Sequence, residues 1–201
     1  GNKAREEQQR RGASQGVARA FMASTWGELR DGYDTVEWIA DQPWSNGKVG
    51  TVGASAMGIA QTMMAPSAPE HLTCQYILVA AASLYHHGSY FGGEFRKCLA
   101  EGWLRDNQYP ESNIDEIRAH PTYDAFWEAA DSVRAAGRIH APAIHYGGWY
   151  DIFSQGTIDA FVSRQKDGGE GARGRQKLVM GPWLHGGPGA IDYGDFKLPE
   201  P

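Results

Sequence analysis

Residues 48–65 read KVGTVGASAMGIAQTMMA, and three backbone habits follow one another within them. KVGTVG is short and rich in β-branched residues, as a strand is. Gly53, Ala54, Ala56 and Gly58 then crowd small residues around Ser55. SAMGIAQTMMA returns to helical character. Strand, tight turn and helix form the setting in which a serine can be held at the end of a strand on a strained backbone. The pattern G-x-S-x-G is met only in part, because its fifth position is Met57 and the glycine falls one place later, at Gly58.

Upstream, Tyr33, Val36, Trp38, Ile39 and Ala40 recur at helical spacing within residues 26–42, and Pro43 closes the pattern. PWSNG is the turn into the strand. Downstream, LTCQYILVAAA is nearly unbroken in apolar residues, the signature of a parallel strand covered on both faces, and it is expected to neighbour the first strand. SLYHHGSYFGGEF reads as a Gly- and aromatic-rich loop. Residues 95–138 read as several helices interrupted at Pro110 and Pro121, so a helical cap is expected over about 92–140. PAIHYGG and QKLVMG are two further strands, with a helix near residues 157–163 between them.

Both late strands end just before a residue that can do chemistry, in GGWYD at Asp151 and in GPWLH at His185. Ligands and reactive groups gather past the carboxyl ends of strands in open parallel sheets. A serine hydroxyl is a poor nucleophile at neutral pH unless a base takes its proton. His185 is the expected base, and Asp151 the carboxylate that orients the imidazole and stabilises its charged form. The order Ser, Asp, His is that of the α/β-hydrolases, whereas other serine hydrolases carry the same groups in different orders. The expectation is an α/β fold, a mostly parallel sheet flanked by helices, that cleaves acyl bonds with no metal or organic cofactor. His145 lies inside a strand pattern, and His86 and His87 are adjacent in a loop without metal-ligand spacing.

Composition narrows the partners. The chain has 201 residues, 41% of them hydrophobic, with seven Trp and nine Tyr, enough to bury the core of one domain. A formal charge of −5 gives no basic surface for phosphates, which argues against nucleic acid as a partner. No apolar run approaches the roughly 20 residues of a membrane span. Cys74 and Cys98 have neither metal nor redox-motif spacing and are expected to be free, mostly buried thiols.

Taken together, DGYDTVEWIADQPWSNGKVGTVGASAMG, GGWYDIFSQGT and GPWLH resemble the cocaine esterase and X-Pro dipeptidyl-peptidase family of serine hydrolases, over about residues 12–196. The elbow of that family is G-x-S-Y-x-G, which accounts for the glycine three places after the serine. The resemblance implies Ser55, Asp151 and His185 as the triad and the backbone N–H of Ala56 as an oxyanion donor. A second donor, a tyrosine hydroxyl from an earlier strand, has no counterpart here, and Ala56 replaces the usual tyrosine after the nucleophile. Family members are longer, with preceding strands and a following jelly-roll domain. RRGASQG near Arg11 looks like a shortened form of an earlier family segment, so the chain is expected to be the central part of a catalytic domain.

An exposed sheet edge should then favour self-association. The aromatic residues Tyr85, Tyr90, Phe91, Trp103, Trp127 and Trp149 are the candidate pocket. The expected substrate is a small ester or amide, with an ester favoured because no acid can be assigned to hold a peptide amino terminus; Glu94 and Asp106 are undistinguished. A dipeptidyl-peptidase is the alternative within the class. A fragment that keeps the fold for binding or assembly is the alternative outside it.

Overall fold

The structure, a computed structural model, describes residues 31–186. RRGASQG and Trp26 lie outside the described residues. Among the described residues four strands form one parallel sheet: β1 (Val49–Ala54), β2 (Leu72–Leu78), β5 (Ala143–Gly148) and β6 (Lys177–Gly181), side by side in that order. A two-stranded antiparallel hairpin, β3 (Tyr90–Phe91) and β4 (Glu94–Phe95), stands apart from it.

Among the described residues one face of the sheet is covered by α1 (Asp31–Ala40), α2 (Ala56–Met64) and α6 (Ser154–Asp167). Val36 of α1 and Met64 of α2 are buried in one cluster with Val49 and Leu72, while Ile59 and Met63 pack with Ile77 and Ala143. Trp38, expected on the apolar stripe of α1, is 60% exposed and meets Trp44 edge-on at 6.5 Å, because Val36 and Ile39 already fill the side facing the sheet.

The other face is open among the described residues. Val52 is 72% exposed, and Tyr76, Ile144 and Val179 of the next three strands are also exposed. This corrects the expectation that β2 is covered on both faces: alternate residues point to opposite sides of a strand, and only Leu72, Gln75 and Ile77 are buried. It also corrects the cysteines. Both are free, but Cys74 lies in the open part of β2 and Cys98 lies on the outside of a helix, so both are exposed.

Between β2 and β5 the chain builds a helical layer. The expected loop at 83–95 is instead a π-helical turn, Leu84–Ser89, followed by the hairpin, and the Ser83 side chain accepts from the His86 N–H to start the turn. Helices α3 (Lys97–Asp106), α4 (Glu111–Ala119) and α5 (Ala125–Glu128) follow. Pro110 directly precedes α4 and Pro121 follows its end, as their missing N–H groups require. The Asp124 carboxylate accepts from the Phe126 N–H and caps α5. Glu101 is buried between Arg105 and Arg118 and ties α3 to α4. The central core joins this layer to the sheet through Ile59, Leu84, Leu104, Ile117, Trp127 and Phe153.

Candidate active site

Ser55 sits between β1 and α2 with φ 55° and ψ −123°, a left-handed backbone that a serine adopts only when its surroundings hold it there. Its N–H donates to Leu78 O at 3.1 Å, and its carbonyl accepts the Ile59 N–H at 2.8 Å. The displaced glycine has a steric reason. A Cβ on Gly58 would lie 2.9 Å from both Ala80 Cβ and Leu78 O, so α2 could not approach the end of β2 so closely. Met57 points outward and is 66% exposed, so nothing at the fifth position demands glycine.

Asp151 lies three residues past β5 in a turn closed by its N–H to Gly148 O and by the Ser154 N–H to its own carbonyl. His185 lies four residues past β6, beyond a turn in which Trp183 stacks on Tyr146 at 5.1 Å. The three side chains form a row. His185 Nδ1 is 2.7 Å from Asp151 Oδ1, and His185 Nε2 is 2.8 Å from Ser55 Oγ. With a carboxylate on one side, Nδ1 carries the proton and Nε2 is free to accept from the serine hydroxyl. The Asp151 side chain is fully buried, whereas the His185 side chain is 35% exposed. Ala56 opens α2, where backbone N–H groups have no intrahelical acceptor and favour negative charge.

A cavity of about 380 Å³ opens beside the serine. Ser55, Ala56 and His185 form one end, and Leu99, Trp103, Leu104, Ile117 and Trp127 of the helical layer stand in the remaining wall. Of the six aromatic residues expected to line a pocket, Trp103 and Trp127 are in its wall. Tyr85 and Tyr90 are not: both are buried, stacked on each other at 4.9 Å, because their rings fill the core behind Trp127. Phe91 at the hairpin and Trp149 beside the acid turn are exposed and also lie outside the wall. Sequence reasoning missed the aliphatic wall and Ile152 and Phe153. Leu99, Trp103 and Leu104 stand on one side of α3 by their spacing, a legible but unspecific signal.

The remaining histidines have other partners. His145 is fully buried in β5, bonded to Gln176, and burial pushes its ring down to about 3. His87 accepts at Nδ1 from the Ala82 and Ser83 N–H groups and faces Asp159 at 2.9 Å with Nε2. Among the described residues no group of three or more His, Cys, Asp or Glu side chains could hold a metal ion, and no helix is long and apolar enough to cross a membrane.

A parallel sheet, a strained serine at a strand-to-helix turn, and acid and histidine beyond later strands are the architecture of the α/β-hydrolases. A family model described as X-Pro dipeptidyl-peptidase (S15 family) matches residues 8–112 and 98–187, and the chain belongs to that family. The cocaine esterase of Rhodococcus sp. (strain MB1 Bresler) is 26% identical over 77% of this chain and 34% of its own length. A CocE/NonD family hydrolase from Staphylococcus aureus is 25% identical, with a TM-score of 0.64 over 75% of this chain and 27% of that one. An α-amino acid ester hydrolase shares the fold at 21% identity, with a TM-score of 0.57 over 77% of this chain and 31% of that one. The chain thus spans about a third of the length of the curated relative it matches.

Proposed function

We propose that the chain carries the centre of a serine hydrolase that cleaves a carboxylic ester or amide through an acyl-enzyme on Ser55. The observation that carries this reading is the continuous row from Ser55 Oγ through His185 to Asp151, at 2.8 and 2.7 Å. His185 takes the hydroxyl proton as Oγ attacks the carbonyl carbon, and the Ala56 N–H donates to the oxyanion that forms. Collapse breaks the bond to the leaving group, which receives the proton from His185. Water then attacks the acyl carbon as His185 takes one of its protons, and collapse breaks the bond to Ser55 Oγ, which takes the proton back from His185 as the acid leaves. Asp151 keeps the imidazole oriented and stabilises its charged form throughout.

The cavity wall favours an ester with an apolar acyl group. Among the described residues its side chains are aliphatic and aromatic apart from Ser55, Ser89 and His185, with no carboxylate to pair with a substrate amino terminus, as a dipeptidyl-peptidase would need. Glu94 and Asp106 are exposed and outside it. The proposal includes association of copies through the open sheet face, where Val52 and its neighbours lie bare.

A fluorophosphonate probe is expected to add one label to the wild-type chain and none to Ser55→Ala, read by intact mass. Equal labelling of the two removes Ser55 from the nucleophile role. No labelling of either supports a fold kept for binding or assembly. Hydrolysis of p-nitrophenyl esters is expected to exceed that of Ala-Pro-p-nitroanilide, and the reverse order would make the chain a peptidase.

A further inference from the structure

Asp151 is only half held. Its side chain is fully buried, yet among the described residues only Oδ1 is engaged, by His185, while Oδ2 has no hydrogen-bond partner. A buried carboxylate oxygen without a donor is costly to leave alone. Arg96 stands just before α3, at the base of the helical layer. Its guanidinium donates to His87 O at 2.7 Å and, through both terminal nitrogens, to Ile152 O at 3.4 Å. Ile152 is the residue after Asp151, so this contact grips the turn that carries the acid.

We propose that Arg96 is a positioning residue for the Asp151–His185 pair, fixing the acid turn through the Ile152 carbonyl and placing a positive charge beside it. The inference rests on the hydrolase reading above. A planar guanidinium suits both tasks, because it can reach two carbonyls in fixed geometry and stays charged when partly buried. Burial pulls the Arg96 guanidinium below its ordinary value, and the charge of Asp151 acts in the opposite direction, so the two groups interact across space.

His185 meets Asp151 directly from the segment after β6. Asp159 of α6 is engaged by His87, whose carbonyl is the one Arg96 grips, and the bond from that ring holds the Asp159 carboxyl below the usual carboxylate range. Arg96 also packs on the Phe91 ring at 5.6 Å.

Without the cation, the proton-bearing form of the Asp151–His185 pair becomes easier to form. The acid limb of kcat/KM should therefore move to higher pH, by roughly half a unit to one unit. A looser acid turn should also lower kcat/KM by on the order of tenfold to a hundredfold, mainly in kcat.

The test compares the full chain with Arg96→Met, Arg96→Gln and Arg96→Lys. The Gln variant keeps a donor without charge, and it replaces the Met variant should the latter not fold. Two midpoints are read, the acid limb of p-nitrophenyl ester hydrolysis and the NMR titration of the His185 ring. Both are expected to rise in the neutral variants and to return toward wild type in Arg96→Lys. A purely structural role lowers Tm and leaves both midpoints in place, and that result, or the same displacement in Arg96→Lys, overturns the proposal. If the wild-type chain takes no fluorophosphonate label, the hydrolase reading fails while the ring titration still decides the role of Arg96.

Discussion

His145 and Ser55 illustrate opposite ways in which one residue can depart from its ordinary state. Ser55 is strained in its backbone, and the strain is held by the Leu78 and Ile59 hydrogen bonds on either side of the turn. His145 is strained in its protonation, held neutral by burial and by the nearby Arg164 charge. The unfolded chain takes up a proton at this ring near pH 6.5, whereas the folded chain resists until about 3. Stability is therefore retained above pH 6.5 and falls as the pH drops toward 3, since the unfolded state binds more protons across that window. His145→Gln should show a shallower fall of the urea midpoint between pH 6.5 and 4 than wild type. Equal slopes would remove His145 from the acid response.

At the scale of elements, the approach of α2 to the sheet decides whether the site exists. The helix must run close enough to β2 for Ser55 to stand at the strand end with Ala56 at the first helical position. Gly58 makes that approach, and the interfering atoms on the other side include backbone, which cannot rotate away. Gly58→Ala should lower stability by about 1–3 kcal/mol through overpacking, despite the better helix propensity of alanine. Thermal melting reads the loss, and fluorophosphonate labelling should slow with it. A more stable, fully reactive variant would show that α2 has room to move. Arg164 ties the same layer together from α6, fully buried and bonded to Gln75 at 2.8 Å.

For the whole molecule, the two faces of the sheet tell different stories. One is sealed by α1, α2 and α6, and the other presents Val52, Tyr76, Ile144 and Val179 to solvent. Apolar surface of this kind on a parallel sheet favours association. The isolated chain is expected to sediment above its monomer mass of 22.0 kDa, and Val52→Lys with Val179→Lys should return it toward that mass. A monodisperse wild-type monomer would count against the expectation. The cavity belongs to this scale as well, because its walls come from the strand-to-helix turn, the acid turn and two or more helices of the inserted layer at once.

The apolar runs and punctuation of the chain determined the parallel strands, the turn at Ser55, and the interruption of the helical layer at Pro110 and Pro121, because these depend on local backbone preferences. The order of Ser55, Asp151 and His185 is likewise legible in the sequence, since strand ends are where such a fold can present reactive groups. Tertiary structure alone decided which aromatic residues face the cavity, turning Tyr85 and Tyr90 into core, and it alone left Cys74 in the open. It also brought Arg96 to the carbonyl of Ile152, a meeting across 56 positions that no local pattern encodes. Side-chain burial and long-range charge pairing depend on how finished elements pack, and packing is a property of the folded chain as a whole.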